Sequence, residues 1–181
     1  MTGLTTFFTI AWLVFWAYWL LSALGAKHGT GRTLGGRIPF VLTILLVFVL
    51  LRALRVGGLA VDDLALEVVG LALFIAGLGL AVWARVHLGR NWGMPMTRKD
   101  EPELVTSGPY RFVRHPIYSG ILLAMLGTGL ATTFSWLIAF VVFGIYFARA
   151  ATVEEANLTR EFPNAYPPYQ AHTKMLIPFV F

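Results

Sequence analysis

Residues 116–148 form a run of 33 positions without Asp, Glu, Lys or Arg, preceded by Arg114-His115 and followed by Arg149 and the pair Glu154-Glu155. A membrane span takes roughly 20 apolar residues, so the run is too long for one span and long enough for two short ones. The turn between them falls at Thr132-Thr133-Phe134-Ser135. Each limb then covers about 24 to 28 Å at about 1.5 Å rise per residue. The chain leaves one membrane face at His115 and returns to that face near Glu154, which makes neighbours of two motifs far apart in sequence.

The rest of the composition fits a chain whose solvent is lipid: 57 % of the 181 residues are hydrophobic and 13 % charged, with a mean hydropathy of +0.72. The net charge of +5 resides in connecting loops, not in a basic stripe interleaved with exposed aromatics, so no nucleic-acid partner is expected. Cysteine is absent, which excludes disulfides and thiolate metal sites. No His, Asp or Glu spacing suggests a metal site, and none is expected.

Apolar blocks at 4–26, 38–56, 64–86, 116–132 and 135–153 predict an all-α, polytopic membrane protein of one domain with five transmembrane helices. The first block has no Lys or Arg before it and reads as a retained helix, not a leader. The connection at 27–37 carries Lys27, Arg32 and Arg37 without an acid, whereas the next has Asp62 and Asp63 without a base. Positive charge favours the cytosolic side. The connection from 87 to 115, with Arg90, Arg98, Lys99, Arg111 and Arg114, agrees with that assignment. The prediction is N-out, C-in, with a cytosolic tail over 154–181.

The 87–115 connection mixes turn formers and aromatics and reads as a binding loop. Gly108-Pro109 marks a turn, and Pro116 suits the first position of a helix, where its missing N–H costs nothing. The free amides at that helix start favour an anion such as a carboxylate. Glu154 and Glu155 favour a ribose hydroxyl, an amine or a sulfonium. A zwitterionic ligand bearing a nucleoside could satisfy both. Arg149, a cation in the last span, needs a partner because its insertion costs about 2.5–3.5 kcal/mol at a helix centre and less near an end. An interfacial carbonyl or an acceptor carboxylate or phosphate would serve. His28, His87 and His172 read as interfacial or packing residues.

From residues 104–120, and again from Glu154 through Leu158, Phe162, Tyr166 and Tyr169 to Pro178, the chain resembles the isoprenylcysteine carboxyl methyltransferase family and its phospholipid N-methyltransferase relatives. The resemblance implies S-adenosylmethionine bound in a cytosol-facing pocket of a prokaryotic cell membrane protein, with a lipophilic acceptor arriving through the bilayer. By matching positions, Leu104, Val105, Tyr110, His115, Pro116, Ile117, Tyr118 and Glu154 line the cofactor site. Glu155 pairs with them, and Arg114 braces the loop. Arg149 is the nearest counterpart of an arginine thought to meet the acceptor, although Ala150 stands where the eukaryotic pattern has it. Glu155 and Arg149 are the catalytic candidates.

A carboxylate acceptor needs no proton removed, whereas an amine needs a base, and Glu154, Glu155, His115 and Tyr118 are the candidates for that role. The implied reaction is methylation of a carboxylate of the isoprenylcysteine type, with phospholipid amine methylation as the alternative. Two further readings are a nicotinamide-dependent membrane reductase and a non-catalytic protein that retains the pocket. The reductases typically read RHPNY with a Glu after the glycine, where this chain has Ile117 and Ile121.

Overall fold

The computed structural model describes residues 2–23, 60–89 and 103–180, together with the single positions 42 and 46. These form helices α1 (Thr2–Ala23) and α2 (Leu64–Leu88), a 3-10 turn (Gly108–Arg111), then α3 (Pro116–Ala131), α4 (Trp136–Glu161) and α5 (Tyr166–His172). The architecture is all-α. Extended pairing among the described residues is confined to two isolated bridges, Ala60 with Thr133 and Val113 with Lys174.

The expectation of five transmembrane helices is corrected. Among the described residues three helices are long and apolar enough to cross a membrane: Gly3–Ser22 within α1, α2 and α4. α3 is apolar but has only 16 residues, short of the roughly 20 that a span requires. Pro116 fixes its start and the 132–135 turn its end. The span expected at 38–56 lies outside the described residues, apart from positions 42 and 46. The last helix does not stop at 153 but continues to Glu161. Ala156, Leu158, Arg160 and Glu161 all favour helix, and Pro163 is the first residue that cannot continue it. Glu154 and Glu155 therefore sit on a helix face with a fixed direction, not in an exit loop.

α2 starts on the cap Asp63, whose carboxylate accepts the Leu66 N–H at 2.9 Å. It runs antiparallel to α3 with the two backbones in contact. A Cβ built on Gly77 would lie 2.5 Å from the Ala124 amide nitrogen, and one on Gly70 would lie 2.6 Å from that of Ala131. Close approach of this kind demands small residues on both faces. Ala81, Ala84 and Ala124 are accordingly fully buried.

α1 covers this pair with Phe8, Trp12, Phe15 and Trp19, spaced three or four residues apart on one buried face. Trp12 stacks on Trp136 with ring centroids 6.0 Å apart and donates from Nε1 to Thr128 Oγ1 at 3.2 Å. Leu13, Leu20, Ile75 and Ile145 point outward, as expected of side chains that meet lipid. At one end Arg85 ties α1 to α2 by donating to the Ser22 and Gly89 carbonyls at 2.6 and 2.7 Å. At the other end the Val61 N–H donates to the Thr132 carbonyl at 3.0 Å. α1 and α2 thus run in the same direction, and the polar cluster lies at their shared C-terminal end.

Candidate active site

The site is built on the 3-10 turn and the first turn of α3. Gly108 has φ 59, and a Cβ there would lie 2.7 Å from the His87 ring, so both the backbone and the available space require glycine. His87 packs beneath it and bonds Ser107 Oγ at 2.9 Å. Tyr110 is buried and donates to the Ala84 carbonyl at 3.4 Å. Its own carbonyl accepts from Tyr169 at 2.6 Å. Burial pushes the Tyr169 phenol up to about 12, with nearby Arg114 acting in the opposite sense, so the hydroxyl remains a donor.

Arg114 and His115 enter the site held by their backbones. Their N–H groups donate to the Lys174 and Met175 carbonyls at 2.8 and 3.1 Å. The tail lies beside them and runs parallel. Arg114 Nε and Nη2 donate to the two carboxylate oxygens of Glu155 at 2.6 and 3.3 Å, the paired geometry that arginine's planar fork provides. Its Nη1 reaches the Gln170 carbonyl at 3.2 Å and also the Thr173 carbonyl. Gln170 Nε2 donates to Glu155 Oε2 at 2.9 Å.

His115 joins the two acids. Its Nε2 lies 3.2 Å from Glu155 Oε1 and its Nδ1 3.4 Å from Glu154 Oε2. An acceptor on each side calls for a proton on each nitrogen. Burial alone would lower the imidazole pKa, but the hydrogen bonds and charges of Glu154 and Glu155 outweigh it and raise the value. Arg114 and His115 thus stand opposite Glu154 and Glu155, so that the buried polar groups of the cluster are paired. Tyr118 donates to Glu154 Oε1 at 2.5 Å. The His115, Tyr118 and Phe147 rings lie nearly parallel, with centroids 5.4 and 4.5 Å apart in succession.

The two acids consequently differ in their surroundings. Glu155, with its side chain 8 % exposed, accepts from Arg114, His115 and Gln170. Glu154, at 24 %, accepts from Tyr118, lies beside His115 Nδ1 and is the more exposed of the two. Pro116 and Ile117 are buried in the same turn as Tyr118. Leu104 and Val105 lead into the 3-10 turn, half-buried. Arg149 is not brought to the cluster. It is exposed on the opposite side of α4, without a hydrogen bond or ion pair among the described residues, while Ala150 is the residue that points inward. Gln170, Thr173 and Ser119 were not anticipated. Ser119 Oγ donates to the Leu176 carbonyl at 2.5 Å.

A raised histidine pKa in the fold means stability that is complete below the unfolded value of about 6.5 and is lost as pH rises through the folded value. Thermal unfolding of the purified protein should therefore shift to lower temperature as pH is raised above about 6.5. In His115→Gln that part of the slope should be missing. An unchanged slope in the variant would assign it to another group.

The phospholipid methyltransferase family matches residues 66–165, more than half of the chain. Protein-S-isoprenylcysteine O-methyltransferase B of Arabidopsis thaliana is 33 % identical over 115 residues, covering 61 % of this chain and 58 % of that protein. The Schizosaccharomyces pombe protein-S-isoprenylcysteine O-methyltransferase is 33 % identical over 101 residues, 54 % of this chain and 43 % of its own length. The nickel-cobalt-cadmium resistance protein NccN of Alcaligenes xylosoxydans xylosoxydans is 29 % identical over 135 residues, 73 % of this chain and 61 % of NccN. The chain thus spans about two-fifths to three-fifths of the length of these relatives. The solved structure of a eukaryotic intramembrane Ras methyltransferase, an isoprenylcysteine carboxyl methyltransferase, shares the fold with a TM-score of 0.59 at 24 % identity, over 83 % of this chain and 54 % of that one. The matched region takes in α2, the 3-10 turn, α3 and α4 with both acids of the cluster, and the chain belongs to the phospholipid methyltransferase family as an integral membrane member related to the isoprenylcysteine methyltransferases.

Proposed function

We propose that this protein transfers a methyl group from S-adenosylmethionine to a carboxylate on a lipophilic acceptor of the isoprenylcysteine type. The observation that carries the reading is the division of labour between the acids: Glu155 is buried and held by donors from three side chains, and Glu154 is the more exposed acid beside the stacked His115 and Tyr118 rings. A partly exposed carboxylate next to aromatic faces suits a ligand that brings hydroxyls and positive charge. S-adenosylmethionine, when bound, supplies an electrophilic methyl group. Glu154 accepts hydrogen bonds from the donor, and Leu104, Val105, Tyr110, His115, Pro116, Ile117 and Tyr118 complete its site. Glu155, through Arg114 and His115, keeps that wall in place.

Methyl transfer to a carboxylate oxygen breaks the bond from sulfur to the methyl group, forms the ester and leaves a neutral thioether. No proton moves. Both His115 nitrogens face the carboxylates of Glu154 and Glu155, so neither is turned toward a substrate as a base, which favours a carboxylate acceptor over an ammonium that must first be deprotonated. The task of the chain is then alignment and exclusion of water. Opposite charges vanish along the reaction, a change favoured where the dielectric is low. Arg149, on the side of α4 away from the cluster, is assigned to the anionic group of an acceptor or lipid in the bilayer. The excess of Lys and Arg in the 87–115 connection supports a site on the cytosolic side, in our reading of a prokaryotic cell membrane.

The test is calorimetric binding of S-adenosylhomocysteine to the detergent-purified protein, followed by an acceptor screen. A hydrogen bond to a charged group contributes about 1.5–3 kcal/mol, so Glu154→Gln should weaken binding by about 10-fold to 150-fold. Binding of NADPH in place of S-adenosylhomocysteine, or an undiminished affinity in Glu154→Gln, would sink the proposal.

A further inference from the structure

Residues 170–175, whose carbonyls receive Arg114 and His115, form a strap over those two residues, and the segment that follows it is apolar and points away from the protein. Ile177, Phe179 and Val180 are 53, 91 and 71 % exposed. Water is a poor environment for three such side chains within four residues, and their position supplies another. The strap runs parallel to Val113-Arg114-His115, in the direction in which the chain passes into α3. Ser119, in the first turn of α3, holds the Leu176 carbonyl, so the exposed residues begin about 5 Å along α3 from Pro116.

α3 lies against α2, which is long and apolar enough to cross a membrane, and Gly120, one turn into α3, meets Ala81 two turns before the end of α2 at Leu88. The start of α3 and the apolar segment beside it therefore sit level with the last turns of a membrane-length helix, where the hydrocarbon core gives way to the headgroups.

Its conformation points the same way. The Val180 N–H donates to the Ile177 carbonyl at 3.1 Å, closing a turn with Pro178 second and Phe179 third. Phe179 there adopts φ 65, a left-handed conformation normally left to glycine or asparagine. The turn thereby presents a phenyl ring at its tip. Exposed Lys174 precedes the segment, and Arg111 lies over the exposed Phe112 ring on the adjoining stretch at 4.5 Å. Cations beside exposed apolar rings are the composition of a surface seated at the lipid headgroups.

We infer that residues 177–180 form a membrane anchor, seated at the boundary between headgroups and acyl chains on the side of the candidate site. The occupant of this surface is the bilayer. The bilayer then holds the strap, through Lys174 and Met175, against Arg114 and His115. This inference does not depend on the reaction proposed above.

The absence of cysteine makes the test direct. Phe179→Cys carries a nitroxide in the full-length protein, placed in nanodiscs of phosphatidylcholine and phosphatidylglycerol. Collision rates are measured with oxygen, which concentrates in lipid, and with a water-soluble nickel chelate. Ile145→Cys, on the outward face of α4, gives the lipid reference, and His172→Cys, exposed on α5, gives the aqueous one. The expected ratio at position 179 lies on the lipid side, at least several-fold above that of His172→Cys. Val180→Cys gives a second reading if the first variant does not fold. A ratio equal to that of His172→Cys would overturn the inference, as would dipolar broadening showing that two copies of the chain pair through this segment.

Discussion

Glu155→Ala should destabilise the detergent-purified protein by about 3–5 kcal/mol, the range found when one partner of a buried ion pair is removed. The cost arises from what remains. Arg114 would retain a cationic side chain only 10 % exposed, and His115 would lose one of the two carboxylates that raise its pKa. Gln170 would lose its acceptor, and the strap would lose the link that Arg114 makes between Glu155 and the Gln170 and Thr173 carbonyls. Glu155→Gln retains the volume and one acceptor oxygen and should cost less. Gln170→Ala, which removes one hydrogen bond to a charged group, should cost about 1.5–3 kcal/mol. The measurement is an unfolding titration of the three variants under one set of detergent conditions. A loss in Glu155→Ala no larger than that in Gln170→Ala would refute the view of Glu155 as the hub.

Much of this arrangement is legible in the sequence because the uncharged run has a length that lipid makes meaningful. Two limbs of roughly membrane length oblige Arg114-His115 and Glu154-Glu155 to meet at one end, and the structure brings them together at 2.6 to 3.4 Å. The number of spans is not legible in the same way, since the absence of charge does not set where a helix starts and stops. Pro116 and the 132–135 turn leave α3 too short, while α4 continues past its apolar part to Glu161.

The direction of side chains at the end of α4 is the second thing composition hides. One residue is about 100° around a helix. That angle sends Glu155 to Arg114 and Glu154 to Tyr118, and it places Ala150 inside and Arg149 outside. The third is the strap. Arg114 and His115 reach it through backbone carbonyls of Gln170, Thr173, Lys174 and Met175. Carbonyls leave no mark in a sequence. Gln170 and Thr173, polar positions three apart after Tyr166 and Tyr169, are the one side-chain hint.

Gly77→Ala should be strongly destabilising for a single added methyl, costing about 3 kcal/mol, the upper end of what overpacking typically causes. The added Cβ would meet the Ala124 amide nitrogen at 2.5 Å and the Gly120 carbonyl oxygen at 2.6 Å. Both are backbone atoms that cannot rotate away, so relief requires α2 and α3 to separate along their length. Separation would also move Ala84, whose carbonyl receives Tyr110, and with it the 3-10 turn that leads to His115. Loss of stability should therefore be accompanied by weaker S-adenosylhomocysteine binding, although Gly77 lies on α2 well away from the cluster. Gly79, two residues on, supplies the control. Nothing lies within 4 Å of its Cβ position, and the higher helix propensity of alanine should leave Gly79→Ala neutral or more stable by up to about 1 kcal/mol. Thermal unfolding of the two variants side by side separates backbone contact from propensity, because only contact predicts opposite signs. Equal effects at 77 and 79 would mean that α2 and α3 are not packed backbone to backbone.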